Sequence, residues 1–152
     1  MAKEIERKFL LNGPIPWNIK MKEILIKQGY VFATKDTQFR VRLINKKSLM
    51  CLKYTKNNIR DEYEYKIPFS DGKEIYNKCE MKVEKKRSTI KPYKAPYIID
   101  IDTYPNGLIV AEVEFKSVKE SENFVPFNWF GKEITGQKSY SNITLAKQKL
   151  HF

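Results

Sequence analysis

Apolar and polar residues alternate along most of this chain with a period of two, the spacing of a strand that turns one face to an apolar layer. In 37–44, Phe39, Val41 and Leu43 alternate with Arg40 and Arg42. In 61–67, Tyr63, Tyr65 and Ile67 alternate with Glu62, Glu64 and Lys66, and in 108–116, Ala111, Val113 and Phe115 alternate with Glu112 and Glu114. Tyr, Phe, Val and Ile, which favour strands, are frequent here and in 3–11, 49–55, 81–91 and 96–103, which are predicted as strands too. Asn12-Gly13-Pro14, the stretch from Pro68 to Gly72, and Pro105-Asn106-Gly107 break the pattern, the last as a hairpin turn. Helical signals are few. Residues 19–28 read as a short helix capped by Asn18 and stopped by Gly29, and 71–79 as another. Ser117-x-x-Glu120 opens a third that ends near Pro126, and a last helix begins near Ser141 with Ile143, Leu145, Ala146 and Leu150 partly on one face. Strands joined by short turns, with few helices between them, predict a mainly β (α+β) fold built on an antiparallel sheet or barrel. No repeat or linker divides the chain, so 1–152 is read as a single domain.

The charges follow a second rule. They arrive in i, i+2 sets, one face per strand, and the sets sort by sign: Glu4 and Glu6 with Lys8, Arg40 with Arg42, Glu62 with Glu64, Lys85 with Arg87, Asp100 with Asp102, Glu112 with Glu114, and Lys53 alone between Leu52 and Tyr54. On one strand this is what an edge in water shows. Repeated on nearly every strand, it fits a closed barrel with charges inward and apolar residues outward under helices. Acidic sets suit a hard divalent cation such as Mg²⁺, which binds through a few carboxylates and phosphate oxygens. Basic sets suit the phosphates bridged to it, with arginine offering a planar fork of donors and lysine a point charge. The formal net charge of +11 agrees with a polyanionic partner.

Other chemistries find little support. His151 is the only histidine and sits at the C-terminus, so no Ser/His/Asp or Cys/His arrangement can be argued. Cys51 and Cys79 lack metal-type spacing and read as packing thiols. Trp17 and Trp129 read as core or rim anchors, and Lys46-Lys47 as a turn. Of the run from Lys82 to Arg87, only Lys85 and Arg87 have inward parity, leaving Lys82 and Lys86 as surface charge. The acidic sets would repel a nucleic-acid backbone, so nucleic acid is not the leading partner. The N-terminus lacks an apolar leader and no run is long enough to span a bilayer, so a cytoplasmic protein without a membrane partner is expected, as monomer or homodimer.

Glu4-Ile5-Glu6-Arg7-Lys8 resembles the E-x-E-x-K signature of the CYTH, or triphosphate tunnel metalloenzyme, superfamily. The resemblance continues in order over essentially the whole chain: Arg40-Val41-Arg42, Lys53, Glu62-Tyr63-Glu64, Lys85-Lys86-Arg87, Tyr97-Ile98-Ile99-Asp100, the run from Gly107 to Glu114, and Trp129 to Thr135, with Tyr140, Asn142, Leu145 and Ala146 in the closing helix. It implies an eight-stranded antiparallel tunnel for a triphosphate-containing small molecule, with Mg²⁺ or Mn²⁺ as cofactor. It further implies that Glu4, Glu6 and Glu114 hold the metal bridging the phosphates, while Asp100 and Glu112 hold a second metal or orient its water. Lys8, Arg40, Arg42, Lys53, Lys85 and Arg87 would bind the phosphates, Lys8 beside the reacting groups. Glu62 and Glu64 could ligate metal or orient Arg40, Arg42 and Lys53. Two departures stand out: Gln137 and Ser139 replace the family's usual Asp and Arg, with Lys138 between them as a candidate substitute, and Tyr97-Ile98 replaces Trp-Glu.

The leading expectation is a metal-dependent triphosphatase that hydrolyses the terminal phosphate of inorganic triphosphate, with nucleoside triphosphates as further substrates. Class IV adenylyl cyclase and thiamine triphosphatase are the enzyme alternatives, and Tyr30, Phe32 and Trp129 are candidates for a tunnel mouth that would distinguish them. A polyphosphate-binding module is the non-enzyme alternative.

Overall fold

In a computed structural model, which describes residues 2–13, 15, 22–57 and 59–152, the chain forms one curled antiparallel sheet. Its strands are β1 (Ala2–Lys3), β2 (Glu6–Leu10), β3 (Ile24–Ala33), β4 (Thr37–Ile44), β5 (Lys47–Lys56), β6 (Ile59–Ile67), β7 (Met81–Ile90), β8 (Tyr97–Thr103) and β9 (Ile109–Phe115). The helices described are α1 (Phe69–Lys78), α2 (Val118–Asn123) and α3 (Asn142–Lys147), the last preceded by a 3₁₀ turn at Lys138–Tyr140. The spatial order is β1-β6-β5-β4-β3-β7-β8-β9-β2.

The two outermost strands, β1 and β2, are halves of one N-terminal segment, separated only by Glu4 and Ile5. Counted together they make the eighth strand of the expected tunnel. β1 pairs with β6 at Asp61 and Glu62, and β2 pairs with β9 from Glu6↔Glu114 to Leu10↔Val110. The segment thus carries the chain from one edge of the sheet to the other and draws them together. Beyond Glu62, β6 runs on without this partner, and the outer edge of β2 bonds instead to residues 131–134 through Leu10 N to Lys132 O (2.9 Å) and Ile134 N to Lys8 O (2.8 Å).

Strand β3 corrects the sequence reading. The helix expected over 19–28 falls partly on residues 16–21, with Asn18 and Trp17, which lie outside the described residues. Ile24 onward is a strand paired to both β4 and β7. Gly29 does not stop a helix: it lets α1 approach the sheet, since a Cβ there would come within 2.9 Å of Cys79 Sγ and 3.1 Å of the Tyr76 ring. The predicted hairpin turn at 105–107 is present, with Gly107 at φ +87° and Tyr104 N donating to Leu108 O at 2.9 Å. The turn expected at Lys46-Lys47 lies one residue earlier, at Asn45-Lys46, where Asn45 takes φ +54°.

The apolar clusters lie around the sheet and at one end of it. Phe9, Ile99, Ile101, Ala111, Val113 and Phe115 face outward from β2, β8 and β9 and pack under Phe124, Phe127, Trp129 and Phe130. Trp129 is therefore an anchor of this cluster, as read from sequence, and not part of a mouth. Val41 and Leu43 face outward from β4 beneath Tyr76 and Cys79. Tyr30, Val83 and Val110 have inward parity, and they form an apolar floor with Tyr104, Ile134 and, from α3, Leu145 and Ala146. One end of the curled sheet is thereby plugged.

Gly72 in α1 tests this packing. A Cβ there would collide with Ser48, which is pinned because its hydroxyl donates to the carbonyls of Ile67 (2.9 Å) and Pro68 (3.1 Å). Alanine gains about 1 kcal/mol of helix propensity over glycine, whereas overpacking a tight contact costs about 1–3 kcal/mol. Gly72→Ala should therefore lower stability in a denaturant titration; a gain in stability would show that α1 does not press on β5 in this way.

Candidate active site

The inward rows of the strands meet around a cavity of about 560 Å³. Thirteen of its sixteen lining residues are charged: Glu4, Glu6, Glu62, Glu64, Asp100, Glu112 and Glu114 against Lys8, Arg40, Arg42, Lys53, Lys85 and Arg87. Every site residue expected from the sequence lines it except Lys138. The polarity of each row explains the placement. Along β9 the inward positions run Val110, Glu112, Glu114, and along β7 they run Val83, Lys85, Arg87, so apolar residues lie at the plugged end and charges toward the opening.

The acidic wall is set by register. Glu6 lies opposite Glu114, Lys8 opposite Glu112, and Asp100 opposite Glu112. Lys8 Nζ sits 3.4 Å from Glu6 and 3.5 Å from Glu112, holding the two acids apart. Glu112 stays well below the usual carboxylate range: burial opposes its charge, but Lys8, Lys85 and Arg87 together win. Glu6 is less favoured and is pushed up to about 7, by burial first and then by the charge of Glu112. Burial and the charges of Glu4, Asp100 and Glu112 raise Glu114 as well. Glu4 goes the other way: burial would raise it, yet Lys53, at 2.9 Å, brings it down to about 2. Asp100 accepts from Thr89 Oγ1 at 2.6 Å and lies 3.1 Å from Arg87.

The basic wall comes from β4 and β5. Arg40 lies 3.6 Å from Glu62, Arg42 lies 3.9 Å from Glu64, and Lys53 bridges Glu4 and Glu62 at 2.9 and 3.7 Å. Of the two roles open to Glu62 and Glu64, these contacts match the orientation of the cations. Cys51 is buried as expected, but it shares the inward parity of Lys53 and its thiol donates to Glu62 at 3.1 Å; the Cys51, Glu62 and Glu64 ligand atoms lie within 4.8 Å of one another. The Nε groups of Arg40 and Arg42 are buried without a hydrogen-bond partner among the described residues. Burial and the charges of Arg40 and Arg87 lower the affinity of Arg42 for its proton, the mark of cations awaiting an anion.

Three further residues belong to the site or support it. Asp102 is fully buried and accepts from Lys85 Nζ (2.8 Å), Arg87 Nε (2.6 Å) and Arg87 Nη2 (2.8 Å). Burial and the neighbouring Arg87 still pull Lys85 down to about 8. Asn142, at the start of α3, lines the cavity, and its Oδ1 accepts from Tyr104 Oη at 2.6 Å. Arg60 donates to Glu6 at 3.1 Å. Asp102 was legible as the i+2 partner of Asp100 and Arg60 as that of Glu62; Asn142 is brought in by tertiary contacts alone.

Lys138 is the correction. It sits exposed in the 3₁₀ turn, where its backbone carbonyl accepts from Ser141 Oγ (2.8 Å) and Thr144 Oγ1 (2.7 Å). The turn uses the backbone of Lys138 to start α3 and leaves its side chain in solvent, so it does not replace a cation in the cavity. Gln137 and Ser139 are exposed beside it. Tyr30 is buried in the floor and Phe32 is exposed, so neither lines the cavity.

The carboxylate-rich wall offers only hard oxygen donors, which suit Mg²⁺, Mn²⁺ or Ca²⁺ rather than soft metals. Known proteins are similar to this chain in sequence and in fold. The chain is 38% identical over 151 residues to an inorganic triphosphatase of Acetivibrio thermocellus, covering 97% of this chain and 95% of that one. It is 32% identical over 148 residues to an inorganic triphosphatase of Nitrosomonas europaea, covering 94% and 96%. A crystal structure of an inorganic triphosphatase superposes with a TM-score of 0.69 at 30% identity, over 97% of this chain and 96% of that one. No family model matches the chain.

The raised carboxyl of Glu6 has a measurable consequence. A carboxyl whose folded-state value is raised takes up a proton on folding, so its contribution to stability is complete below its ordinary value of 4.5 and is lost as pH rises through about 7. In metal-free buffer, the thermal midpoint should fall between about pH 5 and about pH 8, and Glu6→Gln should flatten that fall. An identical slope in the variant would mean that Glu6 titrates as an ordinary exposed acid.

Proposed function

Because the chain belongs to the CYTH superfamily, in the family of its inorganic triphosphatase relatives, we propose that it hydrolyses inorganic triphosphate to orthophosphate and diphosphate in a reaction that requires Mg²⁺ or Mn²⁺. One observation carries the reading: seven carboxylates and six cations face each other across a single cavity. Although the chain as a whole carries a net charge of +11, this cavity does not attract a polyanion by an excess of positive charge. A triphosphate entering alone would meet the carboxylates at close range, and divalent cations held by those carboxylates would remove that repulsion.

Glu4, Glu6 and Glu114 are the residues that would hold a metal, and Asp100 and Glu112 would hold a second metal or orient water. The bound metal would polarise a phosphoryl oxygen and make a water acidic enough to attack phosphorus. The protein's own cations do the rest. Arg40, Arg42 and Lys53 on one side, and Lys8, Lys85 and Arg87 on the other, take the phosphate oxygens and neutralise the charge that builds on the leaving diphosphate. Among the described residues little but charge lines the cavity, the exceptions being Tyr63, Tyr65 and Asn142, which favours a bare phosphate chain over a nucleotide or thiamine ester.

Orthophosphate release from triphosphate, with and without Mg²⁺ or Mn²⁺, tests the proposal. Glu4→Ala and Glu114→Ala should each lose at least about 100-fold of the metal-dependent rate, the scale of losing a metal's charge stabilisation. Full metal-dependent activity in both variants would remove the ligand assignment, and cyclic AMP made from ATP would replace hydrolysis by cyclisation.

A further inference from the structure

Asp102 is the acid of this site that neither metal nor substrate can use. It is fully buried and does not line the cavity. Both of its oxygens are taken by cations, Oδ1 by Arg87 Nε at 2.6 Å and Oδ2 by Lys85 Nζ and Arg87 Nη2, each at 2.8 Å. The fork to Arg87 is bidentate, the geometry that fixes a guanidinium in plane and in direction. Lys85 is itself fully buried; besides Asp102, its ammonium has a weak hydrogen bond to Asn142 Oδ1 at 3.4 Å and lies 6.0 Å from the centre of the Tyr104 ring.

Among the described residues the other acids paired with Arg87 are Asp100, at 3.1 Å, and Glu112, at 3.2 Å, and both line the cavity. On the functional reading above, those two turn toward metal or water when the site is loaded. The two cations would then lie side by side at the cavity wall with the buried Asp102 as their remaining fixed counter-charge. We propose that Asp102 is a positioning residue for phosphate transfer: it holds Lys85 and Arg87 together against their mutual repulsion and aims their remaining N–H groups at the phosphate chain. The assignment rests on the proposed function, because it is a phosphate that those groups would meet.

The test compares the full chain with Asp102→Asn and Asp102→Glu, assayed for orthophosphate release from triphosphate under saturating metal. Asp102→Asn leaves two buried cations without their charge and could fail to fold; Asp102→Glu keeps the charge and displaces it, so thermal unfolding is followed for each and activity is counted per folded molecule. The expected result is a loss of at least about 30-fold in kcat/KM for either folded variant, with KM raised. In an Arg87→Ala background, the same change at Asp102 should cost several-fold less, because the guanidinium through which it acts is gone. Folded variants with wild-type kcat/KM, or losses that simply multiply in the double variant, would overturn the proposal and leave the triphosphatase reading standing. An inactive wild-type chain would overturn the functional reading. The same variants would then be compared by calorimetric binding of inorganic triphosphate, where undiminished or absent binding rejects the role of Asp102 as well.

Discussion

The whole structure depends on keeping charges of both signs inside a protein without leaving any of them alone. A buried ion without a partner costs several kcal/mol, and a pair survives only where geometry and hydrogen bonds offset desolvation. Here the strand register supplies that geometry. Glu6 opposite Glu114 and Lys8 opposite Glu112 form successive rungs of one ladder, so Lys8 stands between acids that would otherwise repel. Lys53 does the same between Glu4 and Glu62, and Asp102 between Lys85 and Arg87. The balance is incomplete by design of the wall: Glu6 and Glu114 stay raised and Arg42 has only a distant acid, which leaves room for a cation on one side and an anion on the other.

With charge in the middle, hydrophobic burial has to happen elsewhere. The outward faces of β2, β8 and β9 pack under the aromatic segment from Phe124 to Phe130, and β4 packs under α1. Arg7, between Glu6 and Lys8 in sequence but on the opposite face, binds Glu133 through both oxygens and donates to the carbonyls of Ser121 and Phe124. One strand therefore sends its odd residues to fasten the outer layer and its even residues to the reaction cavity. At the plugged end, Val83, Val110 and Leu145 exclude water beneath the charged rows.

Much of this was legible in sequence because strand parity is a hard rule. Once 37–44 or 108–116 is a strand, Arg40 and Arg42, or Glu112 and Glu114, must share a side, and the i, i+2 pairs then assemble into one site. The resemblance to CYTH proteins rests on the same residues. Strand β3 escaped because Gly29 looks like punctuation, and only the approach of Tyr76 and Cys79 shows why a glycine is there. Lys138 was misplaced because its neighbours in sequence do not reveal that its carbonyl starts α3. Asn142 comes to the cavity from a distant segment through its contact with Tyr104, which no local pattern encodes, whereas Arg60, two residues before Glu62 on β6, shares that strand face and reaches Glu6.

Glu4 and Glu6 lie where the N-terminal segment crosses from β6 to β9. That crossing is the seam of the molecule, and it joins parts of the chain more than fifty residues apart to parts more than a hundred apart. Pairings of such long range close long loops, at an entropic cost that the local hairpins do not carry. Closing the seam and completing the acidic wall are therefore one event: the segment that joins the two edges of the sheet is also the one that brings Glu4 and Glu6 to the cavity.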